Sequence, residues 1–258
     1  MTIIAWNYRT AAFLLGFALL GGGHVARAAD AVKTQPVRMT VDRVAHLFSS
    51  KSSIATVKMQ IVNEDGQRDI AMKIWSLGDK TIVRIISPQD EAGVAILKVG
   101  SDIRYYLPKS NRTVKIPASM AMTSWMGSDF TIDDLVKETF LVRDYSITTS
   151  FEGQRGGIAV YEYTLTPKPE AAVVWGKIVL QIRQADAVPT WQGFYDEDGK
   201  LVRQLTFSDF KTMGGRLIPT RLVMQPADKA GEHTTIDYQD VVFDVPISEE
   251  TFSLPNQK

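Results

Sequence analysis

From residue 54 onward apolar and polar positions alternate with a period of two. Val57, Met59 and Ile61 are interleaved with Thr56, Lys58 and Gln60, and after a turn at Glu64-Asp65-Gly66 the apolar set resumes at Ile70, Met72 and Ile74. Successive side chains of a strand point to opposite faces, so this spacing predicts half-buried strands joined by tight turns. The same pattern predicts strands over 81–87, 93–99, 103–108 and 113–117. It resumes over 143–151, 159–166, 177–183, 189–195, 201–210, 217–225 and 234–242. Asp198-Gly199 and Gly214-Gly215 sit between alternating runs, as hairpin turns do. Helical spacing is confined to Val41, Val44, Ala45 and Phe48 behind a Thr40 cap, to 131–137, and to one turn at 248–252.

About a dozen strands with two short helices cannot make a flat sheet, because twist accumulates until the sheet curls or closes. The expected architecture is mainly β: a curved antiparallel incomplete β-barrel closed by short helices. Two such helices are too few to fill its interior, which predicts an apolar cavity beneath them.

The interruption between the two runs of strands, Ser119 to Leu135, reads SMAMTSWMGSDFTIDDL. Its first half carries Met120, Met122, Trp125 and Met126, flexible and polarisable side chains that repack around varied apolar shapes. Gly127 then turns the chain, and Ser128 or Asp129 is placed to cap the helix at 131–137. Asp129, Asp133 and Asp134 suit the positive end of that helix. This segment is expected to be a lid. The cavity wall is expected at Val57, Met59, Ile61, Ile70, Met72, Ile74, Ile96 and Tyr106, and the lid lining at Met120, Met122, Trp125, Met126 and Phe130. A barrel core needs such residues whether or not it binds anything, so the list defines a lining and leaves its use open.

The first 29 residues stand apart. Arg9 precedes the apolar run Ala11–Leu20, and Ala26-Arg27-Ala28 is a small-x-small cleavage site, so 1–28 reads as a secretory signal peptide and 29–258 as one domain. Its removal takes Arg9 and Arg27 and no acid, leaving 27 basic against 29 acidic residues. A near-neutral chain without basic runs excludes nucleic acid as the expected partner. The chain has no cysteine, hence no disulfide and no lipid-modified N-terminus, and a bacterial periplasm is the expected destination.

Catalysis finds little footing. Asp129, Asp133, Asp134 and Glu138 read better as helix-terminal charge than as a cation site or acid–base pair. Ser128 lies outside a G-x-S-x-G elbow, and the scattered His46 and His233 make neither a nucleophile motif nor a zinc site. The expectation is a binding protein without metal or cofactor. Each buried CH₂ contributes about 0.8 kcal/mol, so a single long acyl chain would bind without a charged anchor.

Three stretches carry a family resemblance: Gly93–Val99, Tyr105-Tyr106-Leu107-Pro108, and Met126-Gly127-Ser128-Asp129-Phe130 with Asp133-Asp134-Leu135 behind it. Together with the sheet–helix–sheet order they resemble the LolA-like family of outer membrane lipoprotein-sorting proteins. Gly127, Ser128, Asp129 and Asp134 fall in the most specific of the three. The resemblance implies an incomplete barrel with a hydrophobic cavity for lipid or lipoprotein acyl chains, trafficked across the periplasm. Some members are associated with lipid transporters, and an inner-membrane transporter is the protein partner implied. Arg104 stands where the family often has an aromatic. No residue here matches the basic side chain that grips the lid of the founding carrier, so no gating residue is assigned. The alternative is a non-catalytic binding or sensor module docked on an envelope transporter or signalling protein, with its interior filled by side chains.

Overall fold

The computed structural model describes residues 37–136, 141–171 and 173–255. The expected leader over 1–28 and the end of the predicted helix, with Lys137 and Glu138, lie outside them.

The first run of strands comprises β1 (Ser52–Asn63), β2 (Gly66–Leu77), β3 (Lys80–Ser87), β4 (Ala95–Val99), β5 (Asp102–Leu107) and β6 (Arg112–Ile116). The second comprises β7 (Tyr145–Arg155), β8 (Ile158–Pro167), β9 (Lys177–Arg183), β10 (Pro189–Tyr195), β11 (Leu201–Met213), β12 (Arg216–Pro226) and β13 (His233–Phe243). All belong to one 13-stranded sheet in the order β6-β5-β4-β3-β2-β1-β13-β12-β11-β10-β9-β8-β7. Every pairing is antiparallel, and the two meanders meet at a β1–β13 seam where Ile54 faces Val242 and Met59 faces Ile236. The sheet is not closed: β6 and β7 are its two ends, and the chain between them, 117–144, must travel from one end to the other. The predicted incomplete barrel is therefore observed.

One face of every strand feeds a single apolar cluster. Val57, Met59 and Met72, Ile96, Leu180 and Ile218 are fully buried in it. Helix α1 (37–45) lies against this inner face through Val41, and Phe48, just beyond it, stacks on Tyr238 with ring centroids 4.7 Å apart. The helix is already under way before Thr40, which is thus internal and not its cap. Between β6 and β7 come α2 (Ile132–Val136) and α3 (Leu141–Asp144).

Among the described residues, no water-sized hollow adjoins the innermost wall positions. Residues at zero exposure leave no water-sized space beside them, and the wall positions Val57, Met59, Met72 and Ile96 are all in that state. The physical reason is side-chain length: methionine, leucine and isoleucine from facing strands meet Trp125 and Phe130 from the crossing segment in the same cluster. A second, smaller cluster lies on the outer face, where Ile82, Ala95 and Leu97 are covered by Phe252 and Leu254 of the C-terminal tail. The one predicted terminal turn is there, at Glu249–Phe252, with the Ser248 hydroxyl accepting from the Glu250 N–H.

Candidate functional site: the crossing segment and the pocket at its edge

The segment 117–136 is a self-knit loop that runs into the short helix α2. Trp125 N–H donates to Phe130 C=O at 2.9 Å and Ser128 N–H to Trp125 C=O at 2.9 Å, while Ile132 and Asp133 N–H reach back to Thr123 and Ala121. The backbone hydrogen bonds described for this segment all close within it. The Gly-Ser-Asp run makes that knot. Met126 (φ 54°) and Gly127 (φ 77°) both take left-handed backbone, which glycine adopts freely and methionine only under constraint. The buried Ser128 hydroxyl donates to Trp125 C=O at 2.7 Å, and Ser124 donates to Ser128 C=O at 2.6 Å.

The cap of α2 is Thr131, not Ser128 or Asp129. Its hydroxyl accepts from Asp134 N–H at 3.1 Å, and the Asp134 carboxylate accepts from Thr131 N–H at 2.8 Å, a reciprocal capping box. Ser128 is occupied inside the turn and Asp129 points elsewhere, so neither is free for the role.

Three polar pins join this knot to the sheet. On β2, Arg68 donates to Met126 C=O at 3.3 Å and is held by both Glu91 oxygens at 2.7 Å. On β13, Thr234 accepts from Asp129 N–H at 2.9 Å and donates to the Asp129 carboxylate at 2.7 Å. Burial outweighs that bond and raises the Asp129 pKa above its ordinary value. On β11, Arg203 makes a two-pronged ion pair with Asp134 at 2.7 and 2.8 Å and donates to Asp129 C=O at 3.2 Å. Tyr105 on β5 adds a softer contact, its hydroxyl 3.0 Å from Met126 Sδ; burial, then the Glu91 charge, pushes its pKa up and keeps it a donor.

Arg203 is the only charged residue among the described ones to be buried, at 7% exposure. Its guanidinium lies 4.9 Å from the Trp175 ring and 4.7 Å from Phe194, a cation set over a tilted pair of aromatic rings. Its Nε–H has no acceptor. The Trp125 indole N–H approaches Tyr105 without reaching hydrogen-bonding geometry.

Beside Arg203 a pocket of about 380 Å³ opens between the edge of the crossing segment and the β1–β2 and β12–β13 turns. Met122, Gly127 and Ser128 line one side, Trp175 and Pro226 another, and Glu64, Asp65, Asp228 and Glu232 stand around it. Its lining is mixed polar and apolar where the expected cavity was apolar, and it does not reach the wall positions of β1 and β2.

Among the predicted lining residues, the structure brings Val57, Met59, Ile61, Ile70, Met72, Ile96, Trp125 and Phe130 into one buried cluster, with Ile74 and Met126 packed at its margin. Met122 lines the pocket instead. Met120 is 49% exposed and Tyr106 packs on the outer cluster. Tyr105, the register partner of Ile96, takes the inward place assigned to Tyr106. Arg68, Tyr105, Trp175, Arg203 and Thr234 were not anticipated. Arg203 alone had a sequence signal: in Arg203-x-Leu205-x-Phe207 the alternation puts a charge on the apolar face.

Among solved structures, the chain is similar to a domain named for outer membrane lipoprotein sorting from Vibrio parahaemolyticus (24% identity, 78% of this chain and 89% of that one, TM-score 0.68). It is also similar to a DUF1329 family protein from Desulfovibrio piger (22%, 84% and 95%, TM-score 0.73). A LolA superfamily protein from Nitrosomonas europaea matches likewise (22%, 84% and 96%, TM-score 0.69). No curated protein matches. A family model whose description reads "Uncharacterized protein" matches residues 78–256, well over half of the sequence. The chain belongs to that family, and its fold is LolA-like.

Proposed function

We propose that this protein is an exported, non-catalytic carrier of lipid or lipoprotein acyl chains, which enter between the inner sheet face and the crossing segment when that segment lifts. The observation that supports it is the way the segment is attached. It covers a largely apolar sheet face, into which it buries Trp125, Phe130, Ile132 and Val136, yet it adds no strand to the sheet, and its polar ties to the strands are a few side-chain pins. Such a cover can leave without breaking the sheet, and the face it uncovers, Met59, Met72, Ile96 and their neighbours, is of the chemistry that binds alkyl chains. The packed cluster is then the resting state, with Trp125 and Phe130 standing where an acyl chain would lie. The expected leader over 1–28 supports export to the periplasm.

The test is uptake of a fluorescent fatty acyl probe, alongside mass spectrometry of lipid extracted from protein purified gently from its native envelope. Asp129→Cys with Thr234→Cys, whose side chains are in contact, supplies a lock: oxidation should abolish uptake and reduction restore it. Absence of lipid together with absence of uptake by the reduced protein would overturn the reading.

A further inference from the structure

The charges around the pocket are layered, and the layering selects a head group. Innermost is Arg203, more than nine-tenths buried, lining the pocket and bordering the apolar interior through Phe194. Two of its donor nitrogens are satisfied by Asp134, which rides on the crossing segment, and Nε–H is unsatisfied. If the segment lifts, Asp134 departs and leaves the Arg203 fork, beside an apolar face, without its carboxylate and open to another anion. A phosphate fits the guanidinium fork as a carboxylate does.

Outward of Arg203 the sign reverses. Glu64, Asp65, Asp228 and Glu232, on the β1–β2 and β12–β13 turns, line the pocket, with Lys229 the one cation among the described residues there besides Arg203, and Lys229 is already paired with Glu232 at 2.9 Å. An anionic head group would meet repulsion at this rim. A head group with its negative charge next to the acyl chains and its positive charge outermost would meet the complementary sign at both depths.

We infer that the pocket is the head-group site of an amino-zwitterionic phospholipid: phosphate on Arg203 in place of Asp134, ammonium among the rim carboxylates, acyl chains on the inner face. The inference rests on the carrier reading and adds the cargo class to it. Asp134 is then an internal stand-in for the ligand's phosphate, so cargo binding and lifting of the segment are one exchange of anions on a single guanidinium.

The experiment offers the secreted protein vesicles containing equal parts phosphatidylethanolamine, phosphatidylglycerol and diacylglycerol, then identifies by mass spectrometry what the re-isolated protein retains. Phosphatidylethanolamine should exceed each of the others by about tenfold, the ratio of roughly one good charged contact. Arg203→Met should erase that preference while diacylglycerol is still taken up. The surface triple variant Glu64→Gln, Asp65→Asn, Asp228→Asn should move retention toward phosphatidylglycerol. Equal or greater retention of phosphatidylglycerol by the unaltered protein, or of diacylglycerol, overturns the head-group site and leaves the carrier reading standing. Retention of no lipid and of no acyl probe overturns both.

Discussion

Two irregular segments each cover an apolar patch of the same sheet, one on each face, and they differ in how much of their fastening is polar. The tail at 246–255 is held on the outer face by what it buries, Phe252 and Leu254 against Ile82, Ala95 and Leu97, with Lys80–Glu249 and the Thr113 hydroxyl on Pro255 C=O as trim. The crossing segment also buries large side chains, but its contacts with the strands include directional polar pins from Arg68, Thr234 and Arg203. Apolar burial is non-directional and has no competitor in water. A hydrogen bond or ion pair is exchanged readily for another of its kind. The tail is held by apolar burial with slight polar trim; the crossing segment is held by apolar burial and directional polar pins together.

Four substitutions test that contrast, in descending order of effect. Trp125→Asp places a charge in the apolar cluster where Trp125 is 2% exposed and should cost about 4 kcal/mol or more, seen as a collapse of the urea midpoint. Phe252→Ala removes the tail's main anchor. It should lower stability by about 3 kcal/mol and leave uptake of a fluorescent acyl probe unchanged, whereas a loss of uptake at unchanged stability would erase the distinction between the two covers.

Asp134→Asn weakens both the capping box and the buried ion pair, at about 2 kcal/mol. Its signature should be local: faster proteolysis and hydrogen exchange within 117–136, with the β1–β13 seam still protected. Asp129→Asn should shift the midpoint at low pH by only about 0.5 kcal/mol or less, because an amide oxygen still accepts from Thr234. Its larger effect is on pH dependence. The native Asp129 pKa is raised by burial, so just above the ordinary carboxylate range the native state binds more protons than the unfolded state, and stability falls as pH rises through that window. The asparagine variant should lose that component, measured as a flatter midpoint between about pH 4 and 7.

The strands were legible because most have one dry face and one wet face, and alternation records that asymmetry. Where both faces are covered the record fails. In β4, Ala95, Ile96 and Leu97 are all buried, since the tail lies on one side and the core on the other. Nothing in that run says which parity points inward, and the adjacent Tyr105 and Tyr106 were consequently exchanged. The Gly-Ser-Asp stretch was legible as a special place but not as a knot: the Ser128 hydroxyl bonds carbonyls two and three residues away, and only the fold shows that this occupies it and leaves Thr131 to cap α2. The pocket could not be read at all. It gathers Glu64, Asp129, Arg203 and Glu232 from parts of the chain that only sheet order brings together. Arg203 was visible as a charge out of phase, and that kind of misfit is where a sequence marks a site before its partners are known.

The β1–β13 seam has a further consequence. Its register joins Ser53 to Phe243, so the middle of the sheet is sewn by strands from nearly opposite ends of the sequence. A chain still being synthesised lacks the last of them and cannot complete either half's hydrogen bonding at that line. Pairings so distant in sequence are slow to form. The pairing of β13 with β1 is therefore the step that brings the two meanders into a single sheet.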